Sequence, residues 1–244
     1  MQPPKRFLVI SRGRSGSNYL MSLLGSHPAI RHSGEIIGES RLRWTSMRAE
    51  IDALGLERYV DDSSRRKGRE QIAGIKVLHY QFDNVYGEQW GVPDILKVRD
   101  KLVADTELKV IDLRRRNLLA VLVSSRMAGA TSQHVVVDEE RRREVQIELS
   151  AKECIKHFEF SRRMERQSGD LFQHHPTIEM FYEDLVADTD QETNRVLGFL
   201  WVERRKLSTK LLRQRTKPLS ETITNFAELR DQFVGTEWEH FFTE

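Results

Sequence analysis

The stretch Arg6-Phe-Leu-Val-Ile-Ser-Arg-Gly-Arg-Ser-Gly-Ser-Asn-Tyr-Leu20 decides the fold. Arg6 to Ser11 is a short apolar run of β-type residues and reads as a buried strand. Gly13 to Ser17 is a small polar loop with two glycines. Tyr19, Leu20, Met21, Leu23 and Leu24 then begin an amphipathic helix. A strand that passes through a tight loop into a helix N-terminus makes an anion cradle: backbone N–H groups and the positive end of the helix dipole converge, and glycine admits a ligand close to the backbone. Arg12 and Arg14 add positive charge. A phosphate, or a group that resembles one, is the expected ligand. The loop is not a Walker A motif, which needs Gly, four residues and Gly-Lys-Ser/Thr. Gly13 and Gly16 are three apart and Ser17 follows Gly16. It is not the dinucleotide Gly-x-Gly-x-x-Gly either.

A second stretch has related logic: Lys109-Val-Ile-Asp-Leu-Arg-Arg-Arg-Asn-Leu-Leu-Ala-Val-Leu-Val-Ser-Ser125. Lys109 to Leu113 reads as a strand and Asn117 to Met127 as a helix. Arg114, Arg115 and Arg116 between them are a solvated charged turn or a phosphate grip; a dianionic phosphate favours a forked guanidinium together with a hydroxyl. Further strands are expected at Ile75–His79 and Thr177–Phe181. Helical patterns run over Ser17–Ser26, Ile95–Asp105, Leu118–Ala130, Ala151–Gln167 and Thr193–Trp201. Alternating β and α predicts an α/β fold, a three-layer α/β/α arrangement with a central, mainly parallel sheet. Ligands in such folds sit beyond the carboxyl ends of the strands, which places Ser11, Leu113 and the loops after them at one edge.

The motifs taken together resemble the sulfotransferases that use 3′-phosphoadenosine-5′-phosphosulfate (PAPS), and most of all the bacterial carbohydrate type acting on nodulation factors or trehalose. Arg14-Ser15-Gly16-Ser17 looks like their 5′-phosphosulfate loop, with Arg where cytosolic members carry Lys. The resemblance implies that Arg12, Gly13, Arg14, Ser15, Gly16, Ser17 and Asn18 hold the phosphosulfate. It implies that Arg115 and Ser124, nine residues apart, hold the 3′-phosphate; Arg114, Arg116 and Ser125 are the alternatives in register. Gly34-Glu35 matches the dipeptide that supplies the family's proposed general base, with Glu39 the nearest competitor. Lys76, in Gly74-Ile-Lys-Val-Leu-His-Tyr80, can reach an anion and help hold the sulfuryl group. Ile178-Glu-Met-Phe-Tyr-Glu-Asp-Leu185 looks like the family's strand into a helix start. Thr216-Lys-Pro-Leu-Ser-Glu-Thr-Ile-Thr-Asn225 looks like its C-terminal loop, where Lys217 closes over the nucleotide. The implied fold is the P-loop-like sulfotransferase fold. The implied donor is PAPS, the product adenosine 3′,5′-bisphosphate, and no metal is required. A carbohydrate or other small-molecule hydroxyl is the implied acceptor. The rival functions are a small-molecule kinase using ATP, which lacks its Walker lysine here, and a nucleotide-binding protein without catalysis.

Bulk properties agree with an enzyme acting on small molecules. At 244 residues the chain is long enough for a proper core and is read as a single domain, 1–244. Lys and Arg number 39 against 37 Asp and Glu, so the net charge of +2 gives no general affinity for nucleic acid. The single cysteine, Cys154, excludes a disulfide framework and suits a reducing compartment; it is read as a packing residue. No apolar run approaches the roughly 18–20 residues of a membrane span, and the first strand begins almost at once, so a cytoplasmic protein is expected; no interface stripe chooses between a monomer and a homodimer. The polar stretch 40–70 is a candidate flap over the acceptor or a solvated loop, and the resemblance implies that 128–150 is a second flap that serves the acceptor. His134 in the second is a surface residue or a polar contact to the acceptor. His174 and His175 are adjacent, are expected to diverge along a strand, and do not form a metal site. Trp44, Trp90, Trp201 and Trp238 are core anchors or stacking surfaces for a ring.

Overall fold

The computed structural model describes residues 5–37, 49–82 and 95–243. Glu39, Trp44 and Trp90 lie outside them. Five parallel strands form one sheet: β1 (Arg6–Ser11), β2 (Ile30–Glu35), β3 (Ile72–Leu78), β4 (Lys109–Arg114) and β5 (Thr177–Phe181), in the order β2-β3-β1-β4-β5. The chain's direction of growth reverses at β1, which has β2 and β3 on one side and β4 and β5 on the other. Ser11 is the register partner of both Leu78 and Leu113, so three strands end together at one edge.

The residues fall into two compact units, 1–114 with 165–209, and 115–164 with 210–244. The first contains the sheet. Along β1 the side chains alternate between two cores, as the period of a strand requires. Leu8 and Ile10 join Ile75, Val77 and Val110 on one face. Phe7 and Val9 join Leu20, Leu24, Ile111, Leu113 and Met180 on the other. Each such aliphatic side chain taken fully from water stabilises the fold by about 2 kcal/mol. Gly74 is the register partner of Phe7, and a Cβ there would lie 2.1 Å from the Phe7 ring, so the aromatic ring occupies the space a side chain would need. The helix Leu56–Ser63, within the stretch read as a flap, buries Leu56, Tyr59 and Val60 in the first of these cores.

The second unit has its own core, in which Phe158 lies 4.9 Å from Phe241 and 5.3 Å from Trp238, centroid to centroid. Trp238 is thus a core anchor. Cys154 is buried in the same cluster, and burial pushes its thiol up to about 12, as suits a packing residue. Residues 128–150 are largely irregular after the Leu118–Thr131 helix ends, tied by bridges from Val136 to Leu212 and from Ile147 to Ile223; His134 is exposed there.

Three local expectations change. The strand β2 was not expected, because Ile30-Arg-His-Ser-Gly-Glu has a single apolar residue and no alternation. The helix expected at Thr193–Trp201 runs over Thr189–Phe199, because the Asp188 carboxylate accepts a hydrogen bond from the Gln191 N–H at 2.9 Å and caps a polar first turn. His174 and His175 lie in the turn before β5 rather than in a strand; the His175 ring is buried, with Nε2 3.3 Å from the Leu102 carbonyl oxygen. No helix among the described residues is long and apolar enough to cross a membrane. No group of three or more His, Cys, Asp or Glu among them could hold a metal ion.

Candidate functional site

The loop after β1 turns the chain sharply into a helix. Arg14 (φ 69) and Gly16 (φ 85) both adopt left-handed backbone, and Gly16 is the N-cap of α1 (Ser17–Gly25). For Arg14 that conformation costs on the order of 1–3 kcal/mol, the kind of strain that collects at ligand sites. At Gly16 a side chain is excluded twice: its φ is positive, and a Cβ would lie 2.3 Å from the Tyr182 ring. Gly13 is less demanding, since a Cβ there would only make ordinary contact with Leu78 at 3.8 Å. The first turn of α1 has no acidic residue and Gly16 supplies no side-chain cap. No acidic side chain of that turn offsets the positive end of the helix dipole.

Beside this loop lies a polar chain at the carboxyl end of β3. Lys76 and Glu35 are register partners on β3 and β2. The Lys76 Nζ is 2.8 Å from Glu35 Oε2 and donates a hydrogen bond to Asn18 Oδ1 at 2.6 Å. Its side chain is 4 % exposed, that of Glu35 17 %. A lysine so deeply buried must have its charge matched, and the carboxylate matches it. Gln81, in the short turn His79–Phe82, donates from Nε2 to Glu35 Oε1 at 2.9 Å. Asn18, Lys76, Glu35 and Gln81 thus form one connected set. The sequence pointed to the first three; it missed Gln81, whose signal was a lone amide inside the apolar run Val77-Leu-His-Tyr-Gln-Phe82.

A second polar cluster was not expected, although a charged residue in the middle of a strand, Asp112, was its sign. Arg114 binds Asp112 at 2.6 Å and Glu179 at 2.7 Å. His79 Nε2 lies 3.6 Å from Asp112 Oδ1. Burial alone would raise the Asp112 carboxyl, but His79 and Arg114 outweigh it and hold it below its ordinary value. Burial raises Glu165, partly offset by the electrostatic influence of His79, Arg114 and Arg12. Burial also pushes the Arg12 guanidinium down to about 10, against the opposing pull of Glu165 and Tyr80. Arg12 therefore belongs electrostatically with this cluster. A cavity of about 260 Å³ opens beside it, with Asp112, Arg114 and Glu179 in its lining; the lining includes neither Gly16, Lys76 nor Glu35.

In the second unit, Asn117 caps the Leu118–Thr131 helix by accepting from the Ala120 N–H at 2.9 Å. Arg115 is half-buried and Arg116 exposed. Ser124 Oγ donates to Gln214 Oε1 at 3.1 Å, and Ser125 is exposed. Lys217 is exposed, and its carbonyl oxygen accepts from Arg215; next to it Thr216 donates twice to Glu144 Oε1, at 2.8 and 2.7 Å. Trp201 is 43 % exposed, with the Lys109 ammonium 4.6 Å from its ring centroid.

The fold of this chain is that of solved sulfotransferases. A sulfotransferase from Alicyclobacillus acidocaldarius superposes with a TM-score of 0.54 at 14% identity, over 96% of this chain and 90% of that one. The sulfotransferase domain from the curacin biosynthetic pathway superposes with a TM-score of 0.50 at 16% identity, over 97% and 93%. No protein-family model matches the sequence. The likeness to bacterial sulfotransferases is one of fold, and it extends to the sequence of nodulation proteins. Its relatives by sequence are nodulation protein H of Rhizobium tropici, 28% identical over 98% of this chain and 93% of that protein, and nodulation protein H of Rhizobium meliloti, 26% identical over 98% and 96%.

Proposed function

We propose that this sulfotransferase moves a sulfuryl group from PAPS to a hydroxyl of a carbohydrate or glycoconjugate, with both units forming one sulfotransferase domain. The relatives match along nearly the whole chain, which supports the single-domain reading. The observation that carries the reaction is the linkage of the loop after β1 to a half-buried carboxylate through Asn18, Lys76 and Glu35. In that reaction the acceptor oxygen forms a bond to sulfur while the bond from sulfur to the phosphate oxygen breaks. The phosphate leaves with the electron pair and the acceptor proton goes to Glu35. Arg14 and the backbone N–H groups of Ser15 to Asn18 stabilise the charge that grows on the leaving oxygen. Lys76 holds the sulfuryl end.

Arg115 and Ser124 are assigned to the 3′-phosphate, with Lys217 closing over the nucleotide. Arg115 follows from the register of the motif; Arg114, which Asp112 and Glu179 engage, and Arg116 are the alternatives. No metal takes part in this scheme. The acceptor class rests on the Arg-type loop and on Gly34-Glu35. A cytoplasmic location belongs to the same proposal, as does a state of monomer or homodimer.

Calorimetric titration with adenosine 3′,5′-bisphosphate, ADP and ATP tests the donor site. Preference for the bisphosphate without magnesium is expected. Preference for ATP with magnesium would turn the reading toward a kinase, and binding without transfer from PAPS to any hydroxyl would leave a nucleotide-binding protein.

A further inference from the structure

Gln81 is fully buried and makes a hydrogen bond in every direction its amide offers a fixed partner. Oε1 accepts from the Leu78 N–H at 2.8 Å. Nε2 donates to Glu35 Oε1 at 2.9 Å and to the Ile37 carbonyl oxygen. The orientation of the amide is thereby determined: turned over, it would set N–H against N–H at Leu78 and oxygen against oxygen at Glu35 and Ile37. The side chain is 0 % exposed, whereas the Glu35 side chain keeps 17 %. Gln81 therefore meets the carboxylate from the protein interior.

A carboxylate can turn about its last bond and offers about four lone-pair directions. Here both oxygens are fixed by different elements. Lys76 on β3 holds Oε2, and Gln81 in the turn after β3 holds Oε1. We propose that Gln81 is the positioning residue of Glu35: its amide, anchored to the backbone of Leu78 and Ile37, sets the plane of the carboxylate, so that a lone pair stays aimed at the acceptor hydroxyl. The inference rests on the reading of Glu35 as the base. It gives Gln81 no contact with substrate, because both its N–H groups are taken by Glu35 and Ile37.

The experiment compares the parent 244-residue chain with Glu35→Gln, Gln81→Met and Gln81→Glu. The probes are adenosine 3′,5′-bisphosphate for binding and radiolabelled PAPS for turnover, supplied with a panel of oligosaccharides and with water alone as nucleophiles. Thermal unfolding accompanies each variant. Glu35→Gln is expected to lose at least about 100-fold in kcat. Gln81→Met is expected to lose about 10- to 100-fold in kcat while KM for PAPS and the affinity for the bisphosphate stay within about twofold. The acid limb of its pH–rate profile moves to higher pH, because the charged carboxylate has lost an N–H donor. Gln81→Glu is expected to be slow at neutral pH and to recover as the pH falls, when the introduced carboxyl carries a proton it can donate. If Gln81→Met does not fold, the Gln81→Glu profile decides alone. Parent-like kcat in both Gln81 variants beside an inactive Glu35→Gln would overturn the role of Gln81 and leave Glu35 as base. So would a loss that follows nucleotide affinity with an unmoved pH profile. Normal turnover by Glu35→Gln would remove the base and the role of Gln81 with it.

Discussion

Lys76 and Glu35 face each other across two parallel strands, register partners whose charged atoms stand 2.8 Å apart. Lys76→Met should leave a carboxylate without its cation and destabilise the fold by about 3 kcal/mol, the usual scale for breaking a buried pair. Urea unfolding measures this. Adding Glu35→Gln should restore part of the loss; a double variant as unstable as the sum of the two would mean that the pair is not coupled.

Gly16→Ala tests the anion loop. The added methyl would meet the Tyr182 ring at 2.3 Å, in a backbone region that L-residues avoid. Calorimetry should show binding of adenosine 3′,5′-bisphosphate reduced by at least about tenfold, since the N–H groups that cradle an anion move with the loop. Tyr182→Ala in the same chain should relieve the clash but not the backbone strain, about 1–2 kcal/mol, so recovery should be partial. Full affinity in Gly16→Ala alone would show that the loop is not the cradle.

The second polar cluster should give two opposite pH signatures. The Asp112 carboxyl is held below its ordinary value of 3.8. It therefore contributes stability above that pH, and the contribution disappears as the pH falls through the folded value. Asp112→Asn should flatten this acid limb. Glu165 is shifted the other way from 4.5. The unfolded chain releases that proton first, so stability is lost as the pH rises from 4.5 to the folded value and stays level above it. Glu165→Gln should therefore raise the neutral-pH Tm. A fall of several degrees would show Glu165 charged and acting as the ion partner of Arg12.

Arg115→Ala should weaken adenosine 3′,5′-bisphosphate by about 10- to 100-fold and leave ADP nearly unchanged, as expected for loss of a charge-assisted grip on one phosphate. Titration of both nucleotides into the variant measures the selectivity. Equal weakening of the two would place Arg115 elsewhere.

Asn117→Ala should cost about 1–2 kcal/mol by removing the cap of the Leu118–Thr131 helix. It also removes the bond from Asn117 Nδ2 to the Phe241 carbonyl oxygen at 3.0 Å. Hydrogen exchange should rise first in that helix; an unchanged exchange pattern would show the cap to be idle.

The amino-acid sequence by itself determined the α/β class, four of the five strands and the glycine-containing loop after β1, because each of these is local. A continuous apolar run such as Phe7–Ile10 is the pattern of a strand buried on both faces, as in a parallel sheet. Glycine at position 16 ahead of an apolar helix announces a turn and an N-terminus. Lys76 and Glu35 were legible singly as an anion-reaching cation and a carboxylate. Only the tertiary structure decided that they are partners, since their pairing is set by the register of β2 on β3, and β2 has too little hydrophobic pattern to be seen in advance. The same holds for Gln81, Glu165 and Arg12. Their roles come from burial and from neighbours distant in the chain, and these arise only when the sheet and helices have packed. A buried amide and an exposed one are spelled alike; the removal of water around Gln81 is what fixes its partners.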